Sequence, residues 1–223
     1  SDESNPIKYN SYFTNYGVIE FTENVKSLND QMFKNATTLT SINVPSECET
    51  IGSNTFEGCE NLINFTHSNV LKEIGNYAFK NCKSLTTFTI PDTIETLGEA
   101  IFAGCENIEK FEGKFVTYEG RAIVYEKKLV CVLSKDNSNT EGRIHKISEI
   151  DSSITSLGKS CFNGCVNMRR VDISPNVTSI SDYAFENCEN LYEVHFKETA
   201  PKIGADIFKN INTGERRYVN MWE

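Results

Sequence analysis

The chain has little of what catalytic or nucleic-acid-binding proteins usually show. Its 223 residues include three histidines, one tryptophan and five prolines. His67, His145 and His195 lie far apart, and none shares a motif with a serine or cysteine, so no nucleophilic triad is expected. A glycine-rich phosphate loop is also missing. Basic runs reach only Lys127-Lys128 and Arg216-Arg217, within a net charge of −9, which leaves no positive face for a nucleic acid. The longest apolar run, LVCVL at 129–133, is far short of the ~18 residues of a membrane-spanning helix. No signal-like stretch opens the chain, so Ser1 reads as a processed or excised end. A content of 39% hydrophobic and 24% charged residues is that of a folded soluble protein.

What the chain does have is a period. Phe33, Phe56, Phe79 and Phe102 are 23 residues apart, and so are Phe162, Phe185 and Phe208. In the unit KSLTTFTIPDTIETLGEAIFAGC (83–105), apolar residues fall at positions 3, 6, 8, 12, 15, 19, 20 and 23. Positions 5 to 8 alternate polar and apolar and are rich in β-branched residues, which predicts a short strand with one buried face. Positions 16 to 21 predict one turn of helix or 3₁₀. Position 22 is Asn35, Gly58, Asn81, Gly104, Gly164, Asn187 or Asn210, residue types that accept a left-handed backbone, so a C′ cap is expected there. One such coil has too little apolar surface to fold alone and must stack on its neighbours. The expected fold is an α/β but β-rich solenoid of parallel strands with a short turn per coil.

The interval from Phe102 to Phe162 is longer than two periods, so the array is interrupted by an insertion. Within it FVTYEGRAIVYEKKLVCVLS (115–134) alternates around the turn signals Glu119-Gly120 and Glu126-Lys127-Lys128, which predicts a small β-meander followed by a polar loop, KDNSNTEG. Register resumes imperfectly, with Ser148 at a core position, where a bulge is expected. A single domain results: an N-terminal cap (1–16), a first repeat block (17–111), the insert and loop (112–142), a second block (143–211) and a C-terminal cap (212–223). Tyr218, Val219 and Trp222 would cover the last core layer.

The unit LxxFxIPxxIxxLGxxAFxxC resembles the 23-residue leucine-rich repeat of the BspA-like family, found in cell-surface proteins of bacteria and protozoan parasites. ITSLGKSCFNGC and ISDYAFENC carry the resemblance with their spacing, and it extends over residues ~17–211. Asn29 and Ser181 depart from it at position 16, Ala36 and Ile211 at position 23. The resemblance implies a non-enzymatic binding or adhesion module, secreted or displayed at the cell surface, with a protein or glycan ligand, such as host matrix or another cell, and no cofactor. An intracellular scaffold of the same fold is the alternative. Ligand identity, oligomeric state and anchoring are not implied.

All eight cysteines occupy apolar positions of the repeat or the insert strand, five of them at position 23, which predicts buried free thiols. Bridges between coils compete with that reading, since stacked strands are ~5 Å apart, but ladder side chains point the same way instead of toward each other. Cys161 and Cys165 have no second pair to complete a metal site. Asn35, Asn64 and Asn176 begin formal glycosylation sequons, although Asn35 serves the turn. The candidate ligand face is the outward row at positions 5 and 7: Ser41 and Asn43, Asn64 and Thr66, Thr87 and Thr89, Lys110 and Glu112, Arg170 and Asp172, Glu193 and His195. These are expected to form one continuous surface, neutral in its first half and charged in its second. Tyr118, Arg121 and Tyr125 of the insert are expected to be exposed and form a second candidate patch.

Overall fold

The computed structural model describes residues 7–13, 16–21, 25–134, 144–146, 151–196, 200–211 and 218–221. The chain winds as a solenoid with two strand tracks. On the first, position-5-to-8 strands pair in parallel: Ser41–Asn43 with Asn64–Thr66, Thr87–Ile90 with Lys110–Gly113, and Ile144–Lys146, Arg170–Ile173, Glu193–Phe196 and Tyr218–Met221 in sequence. On the second, two-residue strands at positions 14 and 15 stack from Ser27–Leu28 to Thr96–Leu97, and again from Ser156–Leu157 to Lys202–Ile203. An antiparallel hairpin, Ile7–Phe13 with Tyr16–Phe21, precedes the array and spans the boundary expected at residue 16.

The turn at positions 16 to 21 is not a helix, and the backbone explains why. N–H groups at positions 18, 20 and 22 donate to the next coil: Tyr77, Phe79 and Asn81 reach Glu99, Ile101 and Ala103 at 2.9, 3.0 and 2.8 Å. The alternate N–H groups make i to i−3 turns, as Met32 to Asn29, Lys34 to Gln31 and Ala36 to Phe33. A continuous helix would consume both sets within one coil. Splitting them needs a left-handed residue at position 22, as expected, and a second at position 18, which Gln31, Asn54, Tyr77, Ala100, Ser160, Tyr183 and Asp206 supply with φ of 46–61°. Glycine recurs at position 16, Ser181 excepted, for a different reason. A Cβ on Gly98 would lie 2.5 Å from the Asn76 nitrogen of the preceding coil. Asn29 is in the first repeat unit and has no preceding turn to meet.

Phenylalanines at position 20 stack along the axis, at 5.4, 5.2 and 5.8 Å from Phe33 to Phe102 and at 5.3 and 5.6 Å from Phe162 to Phe208. Beneath them the position-23 thiols donate backward to carbonyls of the preceding coil: Cys59 to Phe33, Cys82 to Phe56, Cys105 to Phe79 and Cys188 to Phe162, at 3.0–3.1 Å. The eight cysteines are thiols and not disulfides; seven are buried and Cys131 is half-buried. Other polar residues join coils too. Asn61, Asn107 and Asn190, at position 2, donate their amides to Thr37, Lys83 and Val166 carbonyls.

The insert is the expected meander, Val116–Thr117, Ala122–Tyr125 and Lys128–Val132, with left-handed Glu126 and Lys127 closing a two-residue hairpin turn. Its third strand runs parallel to Ser156–Leu157 and takes the place of a coil. Both faces are buried. Ile123, Val130 and Leu133 pack into the first block's core, while Ala122, Leu129 and Val132 pack into the second's. The meander is therefore a wall between two cores, not a surface excursion. Past it, Ile144–Lys146 pairs with Arg170–Asp172, an offset longer than the repeat period. The register expectation is thus corrected: His145, not Ser148, is opposite Val171, because the coil that joins these two strands is longer than a standard one. Ser148, the KDNSNTEG loop and Trp222 lie outside the described residues.

Candidate functional site

Short parallel strands hold the outward side chains at fixed spacing, because the alternate residue of each strand is anchored in the core. Ile42, Phe88, Phe111, Val171 and Val194 at position 6 are buried, so positions 5 and 7 point away. In the first half Ser41, Asn43, Asn64, Thr66, Thr87 and Thr89 are all exposed or half-exposed, and their side chains make no hydrogen bond among the described residues. Lys110 and Glu112 are exposed as well, and their charges pair with each other at 2.9 Å.

The second half is closed on itself. Arg170 donates from Nε to Asp172 Oδ1 at 2.8 Å, and its Nη2 lies 2.8 Å from His195 Nδ1. His195 Nε2 is 2.5 Å from Glu193 Oε1, and Glu193 Oε2 is 3.7 Å from Arg170 Nε. Asp172 is only 8% exposed, unlike its counterparts in the first half. A flanking strand on each side accounts for this enclosure: Lys146 is the register partner of Asp172, and Asn220 that of His195.

The expected continuous surface is interrupted. Among the described residues the first track is three separate ladders, broken after Thr66 and after Gly113. Phe65 and Phe88, stacked at 5.4 Å beneath the first break, keep those two pieces adjacent. The second break is the wall, which separates Lys110 and Glu112 from Arg170 and Asp172.

The insert residues differ from expectation. Tyr118, Arg121 and Tyr125 are half-buried, because each is engaged with a neighbouring group. The Arg121 guanidinium lies 4.0 Å from the Tyr118 ring centroid and 3.0 Å from Glu119. Tyr125 donates its hydroxyl to the Glu95 carbonyl at 2.8 Å and packs edge-on against Phe115. Of the other residues singled out, His67 follows its strand and contacts the Ser68 carbonyl through Nδ1 at 2.9 Å.

Beyond these, replacement of a coil turn by the straight insert strand leaves a concavity of about 590 Å³ between the turns at Gly104 and Gly164, lined also by Lys80, Glu106, Ser134 and Glu186. No sequence signal marks it, because it arises from an absent turn. Burial pushes thiols of the core up, Cys59 to about 11, and suits them to packing instead of nucleophilic attack. Among the described residues no group of histidine, cysteine or carboxylate side chains has metal-binding geometry.

Comparison with known proteins agrees with this architecture. Residues 7–120 and 138–218 match the BspA type leucine rich repeat region in six copies. Solved structures with the same fold include the pneumococcal vaccine antigen PcpA, at 21% identity and TM-score 0.64 over 76% of this chain. A leucine rich cell surface protein from Faecalibacterium prausnitzii is similar at 19% identity and TM-score 0.63 over 75%. A leucine-rich repeat protein from Eubacterium ventriosum is similar at 19% and 0.53 over 82%, with 59% of its own length covered. The alignments cover only 42% and 44% of the first two proteins. No curated protein matches the chain.

Proposed function

The chain belongs to the BspA-type leucine-rich repeat family, and from that premise we propose that it is a non-enzymatic binding module, displayed at a cell surface or secreted, that takes a protein or glycan through its strand face. One observation carries the reading: six polar side chains from Ser41 to Thr89 stand outward on rigid strands with no internal partner among the described residues. Hydroxyls and amides in such a row offer donors and acceptors to a neutral, hydrogen-bonding ligand without first breaking an internal contact. The charged second half is the less receptive part at neutral pH, since its ionic groups already satisfy one another.

The reading is tested by capture from a panel of matrix proteins, cell surfaces and glycans, comparing the natural chain with Thr66→Arg and Thr89→Arg. Loss of capture with unchanged melting supports it. Equal capture by both variants moves the interface elsewhere. The scaffold alternative draws on the eight cysteines that stand as thiols and not as disulfides, which suits a reducing compartment. Thiol titration of protein isolated from its source, with and without reductant, distinguishes the two compartments.

A further inference from the structure

The second half of the face carries a feature that its paired charges alone do not require. Arg170 has only donors, so His195 Nδ1, 2.8 Å from Nη2, must be unprotonated and accept. Glu193 is a carboxylate 2.5 Å from Nε2, so that nitrogen must carry the proton and donate. The partners thereby dictate the neutral Nε2–H tautomer. Histidine is the side chain whose charge ordinarily changes between about pH 8 and pH 5. A second proton can enter only at Nδ1, where it would face an arginine N–H at hydrogen-bond distance.

Resting on the binding role given to this face, we propose that His195 is a proton-operated lock on Arg170. With the imidazole neutral, the guanidinium is held flat on the face by His195 Nδ1 and Asp172. Protonation turns Nδ1 from acceptor to donor. The nearest acceptor is Asp172 Oδ1, 4.0 Å away, which now receives Arg170 Nε. Imidazolium taking Asp172 Oδ1 while keeping Glu193 Oε1 costs the guanidinium both of its 2.8 Å contacts and leaves it only the 3.7 Å approach to Glu193 Oε2, so it can swing out as a cationic donor. The groups surrounding the imidazole are consistent with such an exchange. Glu193 is on its own strand, Arg170 and Asp172 are on the preceding one, and Asn220 is its register partner on the following one. Tyr218 is the register partner of Glu193, and Lys146 that of Asp172. Among the side chains in mutual contact, Asp172 and Glu193 face one cation, Arg170, before protonation and two after it. The second half thus passes from closed to donor-presenting when the imidazole takes up its second proton, whereas the hydroxyl and amide half carries no imidazole.

The test is ¹⁵N NMR of protein labelled at histidine and arginine, titrated from about pH 8 to 5. At the upper limit Nε2 of His195 should show the shift of a protonated nitrogen and Nδ1 that of an acceptor. As the ring gains its proton, the Arg170 side-chain resonances should move in the same step. In His195→Asn, whose amide oxygen still accepts from Arg170, they should stay in place across the range. A proton on Nδ1 in the neutral ring, or Arg170 resonances indifferent to the imidazole step, overturns the lock. For a ligand captured by the second half, affinity should change about tenfold across the titration in the natural chain and less than twofold in His195→Asn. Coupled resonances alongside a ligand insensitive to every strand-face substitution would leave the lock standing and remove the binding reading.

Discussion

Replacing Phe79 by alanine probes whether the solenoid is held by its axial ring stack. Phe79 is fully buried, stacked between Phe56 at 5.2 Å and Phe102 at 5.8 Å, with Phe65 and Phe88 edge-on at 4.7 and 4.8 Å. Truncation of a buried phenylalanine costs about 3–5 kcal/mol, depending on how far the surroundings collapse. Here collapse is opposed, because the rings above and below belong to coils whose backbones are pinned by their own ladder bonds. The expected loss is therefore near the upper limit, ~4–5 kcal/mol. For a chain of this size that lowers Tm by roughly 10–15 °C. Phe208 is a matched control: it is partly exposed and among the described residues stacks on Phe185 alone, at 5.6 Å, so Phe208→Ala should cost about 2 kcal/mol or less. Urea titrations followed by circular dichroism measure both. Equal losses at the two sites, or a Phe79 loss no larger than that expected of the exposed ring, would refute the stack as the main axial contact.

Position 16 and position 22 should respond in opposite ways to side chains. Gly98→Ala drives a methyl to within 2.5 Å of backbone and should cost at least ~2 kcal/mol, whereas Gly164→Asn should be nearly silent in the same denaturation assay. A Cβ at Gly164 meets nothing closer than 3.6 Å, and Asn81 and Asn187 already adopt its left-handed conformation. The thiols should be inert to Ellman-type reagents at pH 8 in the native protein and should all react in guanidinium, because burial both shields them and pushes Cys59 up to about 11. Fast labelling of Cys82 or Cys188 in the native protein would contradict the packing. Glu57 carries a pH signature. Burial pushes its carboxyl up, but hydrogen bonds from Lys34 and Asn54 and the charges of Lys34 and Lys80 outweigh it, and the folded value is lowered from 4.5. Its stabilisation is accordingly present above about pH 4.5 and lost as the pH falls through the folded value. Glu57→Gln should therefore lower stability by up to ~1 kcal/mol at pH 7 and by progressively less on acidification, as denaturation at a series of pH values will register.

The residues that made the fold legible are those whose position admits few types. Phenylalanine at position 20, cysteine at 23 and Asn or Gly at 22 recur because a stack, a small thiol donor and a left-handed turn each exclude most alternatives. The second left-handed position escaped notice for the converse reason. Gln31, Tyr77, Ala100 and Asp206 share no chemistry, since the inter-coil bond at position 18 is made by the backbone N–H and the side chain is free to vary. One clue could have pointed to the inter-coil polar ladder: the Asn in GCENL and GCENI recurs at position 2 because its amide reaches the coil behind. The register slip before Arg170 left one local signal, the polar Ser148 at a core position, which marks an irregularity without giving its size. Ile144 and Ile147 fit an alternating strand about as well in either frame, and only pairing with a distant strand decides between them. For the candidate face, the outward positions followed from period-2 alternation, but Arg170, Asp172, Glu193 and His195 read individually as four available groups. Their mutual distances, which engage them with each other, depend on strands from two successive coils lying side by side.

The wall has a consequence for how such a face can be used. Because the meander is apolar on both sides, it belongs to both cores, and loosening it would expose Ile123 and Val130 on one side and Leu129 and Val132 on the other. That cost keeps the insert fixed and makes its tyrosines and arginine poor candidates for an adaptable contact. It also interrupts the strand ladder between Lys110–Gly113 and Ile144–Lys146. The rigid repeat thus presents two chemically distinct surfaces in place of one graded surface: a neutral row whose groups are free, and an ionic cluster whose groups are engaged. A ligand that relies on many weak hydrogen bonds is suited to the first, where no internal bond must be broken. A ligand that needs a charged anchor is suited to the second only when proton uptake has displaced Arg170 from His195. Division of the face by an internal wall, and not its length, is what allows one solenoid to hold a permanently open surface beside a conditionally open one.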